Sequence, residues 1–275
     1  MLTKKKIDQY SEDGFLIIPH FVEASECEAL RSRAEQMVSN FDPAGLVSIF
    51  STNQQNRIAD DYFLNSGDKI RFFFEEGAFL PDGQLKNKKE RSINKIGHAL
   101  HDLDETFNRF SRGIKIKQLI EDLKIRNPLL LQSMYIFKQP GIGGEVNCHQ
   151  DSTFLYTEPT EIVGLWFALE NATLENGCLW VLPGGHKQGL KSRWIRSGDR
   201  MAFKTFNSEP WPENELIPLE VKKGTLILLH GLMPHLSLAN RSDKSRHAYT
   251  LHVISGAAVY PEDNWLQREI PLRGF

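Results

Sequence analysis

Residues 163–170 and 178–182 have the sequences VGLWFALE and CLWVL, two short apolar runs that decide the fold. Asn176-Gly177 lies between the runs and Pro183-Gly184-Gly185 follows the second, and both are turn-forming sequences. A short apolar run that is bounded by turn residues is typical of a buried strand. Each run is therefore predicted to be a strand in the core of a β-rich domain.

The same pattern returns further along the chain. Lys223-Gly224 predicts a turn, and the apolar residues that follow predict a strand that ends at His230 and leads the chain to residues 234–237. Strands are predicted to dominate from residue 129 onward. Before them we predict a helix over 6–14, a strand over 15–19 and an amphipathic helix over 25–39, and residues 104–124 have mostly helical apolar spacing.

Composition predicts one domain. The 275 residues are 40% hydrophobic and carry a net charge of −2, so they can bury a sizeable core. We expect a helical amino-terminal cap over about 1–125 and a β core over about 126–275. Residues 40–92, which are rich in Asn, Asp, Gly and charge, are predicted to form a long, partly ordered stretch at the edge of the active site.

Charge and cysteine usage bear on partners and compartment. A near-neutral chain is a poor match to the counterion-release binding of nucleic acid, so no nucleic-acid partner is expected. Cys27, Cys148 and Cys178 are too few and too scattered for a disulfide framework. The basic start of the chain is followed by no apolar signal region, and no apolar run of about 18 residues is present. We therefore expect no membrane span and a cytoplasmic location.

The triplet His149-Gln150-Asp151 carries the chemistry. On a strand, residues two apart project from the same face, so the imidazole and the carboxylate would point together and His235 could complete a set of three ligands. Two histidines and one carboxylate on one face of an iron ion leave the opposite face open for a bidentate 2-oxoacid and dioxygen. His-x-Asp triplets also arise by chance, however, so the surrounding sequence has to support this interpretation.

The His149 triplet, the two apolar runs and the strand that leads to residues 234–237 follow one another along the chain. In this order, they resemble the phytanoyl-CoA dioxygenase family of Fe(II)- and 2-oxoglutarate-dependent oxygenases. The resemblance covers nearly the whole chain and includes residues 61–64, 67–75, 92–100, 132–140 and 264–267. It implies a mainly β fold with flanking helices, the double-stranded β-helix or cupin-like jelly roll. It also implies Fe(II) as the metal, 2-oxoglutarate and dioxygen as cosubstrates, and succinate and carbon dioxide as products.

The resemblance also assigns roles to individual residues. The metal ligands would be His149, Asp151 and His235; His230 is the competing distal histidine, but only His235 stands in the order relative to Ser237 and Arg246 that the family uses. The Arg246 guanidinium, a planar fork that can bind a carboxylate through two hydrogen bonds, would hold the C5 carboxylate of 2-oxoglutarate with help from Ser237. Three further residues would line the cosubstrate pocket, namely Lys95, Met134 and Trp166.

Each assignment has an ordinary structural alternative. Met134 and Trp166 could be plain core residues, Lys95 a solvated charge, and Arg246 a surface guanidinium. Four other histidines are expected outside the ligand set: His98, His101 and His186 in turns or behind the ligands, and His252 packed on the last strand.

Three functions fit the sequence. The first is a hydroxylase or demethylase that acts on a small molecule, such as an acyl-CoA or another lipid-like metabolite. The second is a halogenase, against which Asp151 argues because halide would need the position of its carboxylate. The third is a non-catalytic jelly-roll module that binds or senses metal and 2-oxoglutarate. Residues 40–92 and a predicted loop over 187–218 are expected to shape selectivity.

Overall fold

A computed structural model of the chain describes residues 2–43, 48–50, 60–197 and 200–275. The helices are α1 Lys4–Asp13, α2 Ala24–Asn40, α3 Asp61–Leu64, α4 Leu100–Leu103, α5 Glu105–Ser111 and α6 Ile114–Asp122. The strands are β1 Phe15–Ile18, β2 Ile70–Phe74, β3 Ile93–His98, β4 Pro128–Ile136, β5 Val146–His149, β6 Ile162–Ala168, β7 Leu179–Val181, β8 Ser192–Ser197, β9 Arg200–Thr205, β10 Ile217–Leu219, β11 Leu226–His230, β12 His235–Ser237 and β13 Ala248–Ser255.

Two antiparallel sheets form the body of the molecule. The larger sheet has seven strands in the order β1-β11-β6-β13-β4-β3-β2, and the smaller has four in the order β10-β7-β12-β5. Strands β8 and β9 form a separate hairpin. The mainly β, jelly-roll fold class that the sequence predicts is confirmed, and the two sheets enclose the space in which the site lies.

Strand β6 shows why the apolar run decides the fold. Leu165 and Phe167 join a core cluster with residues of α2, while Trp166 and Ala168, which point the other way, join a cluster with Leu179 of the smaller sheet. All seven residues of β6 are buried. Each large apolar side chain that is fully buried contributes about 1.5–3 kcal/mol to folding, so a strand with two apolar faces is stable only between two layers.

Several boundaries differ from the sequence prediction. The first 125 residues are not only a helical cap, because β1, β2 and β3 all belong to the larger sheet. The helix predicted over 104–124 is two helices, α5 and α6, and Gly113 between them is the N-cap of α6. The loop predicted over 187–218 contains the β8–β9 hairpin. Part of the 40–92 stretch lies outside the described residues; its other residues include α3 and β2, which are ordered elements.

In the part of the chain that the structure describes, no helix has the length and apolar character that crossing a membrane requires. The cytoplasmic location stays a prediction from the sequence.

Candidate metal centre

Strand pairing brings the two candidate histidine ligands together. In the antiparallel pair of β5 and β12, His149 and His235 are direct Cα partners. Their ring centroids are 4.2 Å apart. Residues far apart in the sequence therefore present their imidazoles side by side at one edge of the smaller sheet.

Asp151 reaches the same point by a different local structure from the one predicted. Strand β5 ends at His149, and Asp151 opens a short 3-10 turn over Asp151–Thr153. Gln150 between them is still extended, with φ −113° and ψ 138°, so the carboxylate points to the same side as His149. Its Oδ1 lies 3.8 Å from Nε2 of His149 and 3.7 Å from Nε2 of His235.

Each of the two imidazoles is oriented by a hydrogen bond to a backbone carbonyl. Nδ1 of His149 lies 2.8 Å from the carbonyl of Asn147, and Nδ1 of His235 lies 2.9 Å from the carbonyl of Met233. A carbonyl can only accept, so Nδ1 is the donor in each ring, and Nε2 is the atom that would bind a metal. Two imidazoles and one carboxylate, each oriented by its surroundings, are a donor set that suits Fe(II).

His252 contacts the other oxygen of the carboxylate. Its Nε2 lies 3.3 Å from Oδ2 of Asp151, and its Nδ1 has no hydrogen-bond partner among the described residues. Burial alone would raise the pKa of Asp151, but the imidazoles of His252, His235 and His149 outweigh burial and hold that pKa below its usual range. The carboxylate is therefore ionised, as a metal ligand has to be. The sequence prediction treated His252 only as a packed residue.

The other histidines lie outside the ligand group. His149, Asp151 and His235 form the one cluster of metal-ligand side chains found among the described residues, with ligand atoms within 4.8 Å of one another. The Nδ1 atom of His230, the competing ligand, accepts a hydrogen bond from the backbone N–H of Leu232. Burial, followed by the charge of His186, lowers the pKa of His230 to about 4. His101 contacts Ser133 and Asp102.

The candidate ligands open into a cavity of about 620 Å³ between the two sheets. The structure brings every other predicted site residue to its wall: Lys95, Met134, Trp166, Ser237 and Arg246. Lys95 Nζ lies 3.8 Å from Sδ of Met134, and the Arg246 guanidinium lies 5.2 Å from the Trp166 ring centroid. Their roles toward a cosubstrate stay predictions, but their placement fits those roles.

Arg246 is not a surface residue. Its side chain is among the largest that are fully buried, and its Nε donates to the carbonyl of Gly177 at 3.1 Å. Its Nη1 is buried and has no hydrogen-bond partner among the described residues. Burial lowers the pKa of Arg246 to about 10, so the group remains charged at neutral pH. A buried charge with an unused donor is costly unless an anion joins it.

The sequence prediction missed a second buried cation. Lys138 is also fully buried and lines the same cavity. It follows the apolar residues Tyr135, Ile136 and Phe137 and stands two residues before Pro140. A lysine that continues a predicted core strand was the one available signal, and it is a weak signal because most lysines are exposed.

Many aromatic side chains also line the cavity wall. Besides Trp166, seven aromatic side chains line it: Phe50, Phe63, Phe154, Trp194, Phe203, Trp211 and Trp265. Trp194 contacts Phe154 with ring centroids 6.0 Å apart and Trp265 with centroids 5.9 Å apart. The predicted selectivity region over 187–218 thus contributes Trp194, Phe203 and Trp211 to the wall, while its selectivity role stays a prediction.

Comparison with known proteins places these residues in a family context. The family model described as phytanoyl-CoA dioxygenase matches residues 10–248. Phytanoyl-CoA dioxygenase 1 of Oryza sativa subsp. japonica is 48% identical over 274 residues, covering 98% of this chain and 95% of that protein. The phytanoyl-CoA dioxygenase domain-containing protein 1 homolog of Dictyostelium discoideum is 46% identical and covers 99% of both chains.

Solved structures share the fold at low identity. EctD from S. alaskensis, solved with 2-oxoglutarate and 5-hydroxyectoine, has a TM-score of 0.65 at 17% identity and covers 98% of this chain and 81% of its own. The epimerase SnoN, solved with Fe3+, alpha ketoglutarate and nogalamycin RO, has a TM-score of 0.65 at 15% identity and covers 94% and 85%. Both structures contain 2-oxoglutarate and the SnoN structure also contains iron, and these are the cosubstrate and the metal that the sequence predicts for this chain.

Proposed function

Because the chain belongs to the phytanoyl-CoA dioxygenase family, we propose that it is an Fe(II)- and 2-oxoglutarate-dependent dioxygenase that hydroxylates a small molecule. The reaction consumes 2-oxoglutarate, dioxygen and a substrate C–H bond, and it yields succinate, carbon dioxide and the C–OH product. One observation carries the proposal: the His149, Asp151 and His235 cluster opens into the same cavity as the buried guanidinium of Arg246.

The protein's part in this reaction is binding and orientation. His149, Asp151 and His235 would hold iron from one side, and iron would supply the open coordination positions and the oxidation chemistry. Arg246 would bind the C5 carboxylate of 2-oxoglutarate, with Ser237 donating a further hydrogen bond. An anion at that position would give the unpartnered Nη1 of Arg246 an acceptor.

The substrate would lie against the aromatic part of the wall. A cavity of about 620 Å³ suits a small molecule or one end of a larger one. Side chains such as Trp194 and Trp265 would contact an apolar or flat part of the substrate and exclude water from the reacting bond. An acyl-CoA or another lipid-like metabolite is the class that we propose from the sequence.

The alternative is a module that binds metal and 2-oxoglutarate without turnover. The three ligands and Arg246 are all present and face one cavity, which favours catalysis. The halogenase alternative is disfavoured because Oδ1 of Asp151 lies within 3.8 Å of Nε2 of both histidines, at the position that halide would need.

The test is a product assay on iron-loaded protein under air with 2-oxoglutarate, ascorbate and a panel of metabolites. We expect succinate to form, with a matching loss of 2-oxoglutarate, and we expect its rate to rise with the true substrate. Binding of 2-oxoglutarate in calorimetry without any succinate would support the binding module instead. Absence of both binding and turnover would contradict both functions.

A further inference from the structure

Two fully buried cations share one wall of the cavity. Lys138 and Arg246 are each 2% exposed. Burial is costly for a cation, and in the part of the chain that the structure describes neither group forms an ion pair with a carboxylate. Glu75 is an acid near Lys138, but its contacts are with the Asn94 amide and the backbone N–H of Gly144. Among the described residues, neither cation thus has a carboxylate within ion-pair distance.

The Lys138 side chain is held by hydrogen bonds and packs closely against Gly177. Its Nζ donates to the carbonyl of Gly144 at 2.6 Å and to Oγ of Ser237 at 2.8 Å. At Gly177, an added Cβ would lie 2.7 Å from Cε of Lys138, so a side chain there would collide with the lysine. The carbonyl of the same glycine accepts from Nε of Arg246. Gly177 therefore packs against one cation and orients the other.

The hydrogen bond from Lys138 determines which hydrogen bond the Ser237 hydroxyl can still form. The ammonium form of Lys138 can only donate, so Oγ of Ser237 is the acceptor in this contact. The hydroxyl proton of Ser237 then remains for another acceptor. In the cavity that acceptor would stand beside the guanidinium of Arg246, whose Nη1 also lacks one.

We infer that Lys138 is a positioning residue of the 2-oxoglutarate site, which orients the Ser237 hydroxyl toward the C5 carboxylate and adds a second positive charge beside Arg246. The inference rests on the proposed function, since it names a further group in the same site. It differs from a purely structural role for Lys138, because a structural lysine would not link cosubstrate binding to pH.

The link to pH follows from the burial of the amine. Burial, and then the charge of Arg246, lower the pKa of Lys138 to about 7. The other charged or titratable groups that act on it are Glu75, Glu145 and Cys178, and all of them oppose that shift. An anion that binds nearby favours the ammonium form, so it raises the pKa and its binding takes up a proton. Affinity is therefore expected to be constant below about pH 7 and to fall above it, by up to about tenfold per pH unit.

The experiment is a calorimetric titration of 2-oxoglutarate into the Mn(II)-loaded full chain between pH 6 and 9, in buffers of different ionisation heat. We expect an uptake of about half a proton at pH 7 and nearly one at pH 8. In Lys138→Met, the proton uptake and the pH slope should vanish, and the dissociation constant at pH 7 should rise by about tenfold to a hundredfold.

Lys89→Met is the matched control, because Lys89 also donates to two backbone carbonyls but does not line the cavity. The Lys89→Met protein should bind 2-oxoglutarate with the same proton uptake and the same pH dependence as the native protein. Native protein that fails to bind 2-oxoglutarate would contradict the proposed function itself. Native protein that binds without proton uptake, or a Lys138→Met protein that keeps the pH slope, would overturn the role of Lys138 alone. Absence of proton uptake in the native protein would overturn the role of Lys138 even if Lys138→Met does not fold.

Discussion

His252 Nε2 lies 3.3 Å from Oδ2 of Asp151, whereas Oδ1 of the same carboxylate lies within 3.8 Å of Nε2 of both candidate histidine ligands. The two oxygens therefore have different partners. Oδ1 is placed to bind a metal together with His149 and His235, and Oδ2 is placed to accept a hydrogen bond from His252. Such outer partners orient a metal-binding carboxylate and tune its affinity.

Removal of His252 is expected to weaken metal binding. In His252→Leu the carboxylate loses the partner of Oδ2 and can rotate, so Mn(II) affinity should fall by about tenfold to a hundredfold. His252→Gln places an amide N–H near the position of Nε2 and should retain most of the affinity. Calorimetric titration of Mn(II) into both variants checks this. Equal losses in the two variants would show that the ring packs against the carboxylate without holding it.

Gly164 lies beside the same oxygen, and Gly164→Ala provides a steric test. A Cβ at this position would lie 2.8 Å from Oδ2 of Asp151, so the carboxylate would have to move. We expect lower Mn(II) affinity in a protein that still folds. Gly97→Ala is the matched control, since its added Cβ would meet Met134 at an ordinary 3.5 Å. Native metal affinity in Gly164→Ala would contradict the close fit around Asp151.

The sequence predicted the parts of the site that depend on local pattern. The apolar runs predicted the buried strands, and the His149 triplet identified two residues that lie together because Gln150 between them is extended. His252 could not be found in this way. It meets Asp151 because β13 pairs with β6 so that His252 lies opposite Gly164, which has no side chain to separate them. Only the register of two distant strands creates that contact.

Lys138 and strand β2 were missed for related reasons. A lysine is normally exposed, and its burial here depends on Gly177 and Ser237, which come from other segments. Strand β2 lies in a stretch whose charge and turn residues predicted partial order, yet it pairs with β3 at the edge of the larger sheet. Tertiary pairing overrides local composition at such an edge strand.

The three candidate ligands are expected to act as one unit. His149→Ala, Asp151→Ala and His235→Ala should each lose iron and succinate formation, because each variant lacks a third of the ligand set. His230→Ala should keep both, since His230 contacts the backbone of Leu232 and His186 instead of the cluster. Metal analysis and the succinate assay on all four variants check this. Loss of iron in His230→Ala with retention in His235→Ala would reverse the choice of distal ligand.

Arg246→Lys is expected to weaken 2-oxoglutarate far more than metal. Lysine keeps the positive charge but loses the planar fork, so one oxygen of a buried carboxylate would lack its donor. Losing such a charge-assisted hydrogen bond costs about 1.5–3 kcal/mol, which is about a tenfold to hundredfold rise in the dissociation constant. Metal binding should be spared because Arg246 is outside the ligand cluster. Calorimetric titration with Mn(II) and then with 2-oxoglutarate measures the metal affinity and the cosubstrate affinity separately. Unchanged affinity for 2-oxoglutarate would mean that Lys138 or Lys95 holds the C5 carboxylate without Arg246.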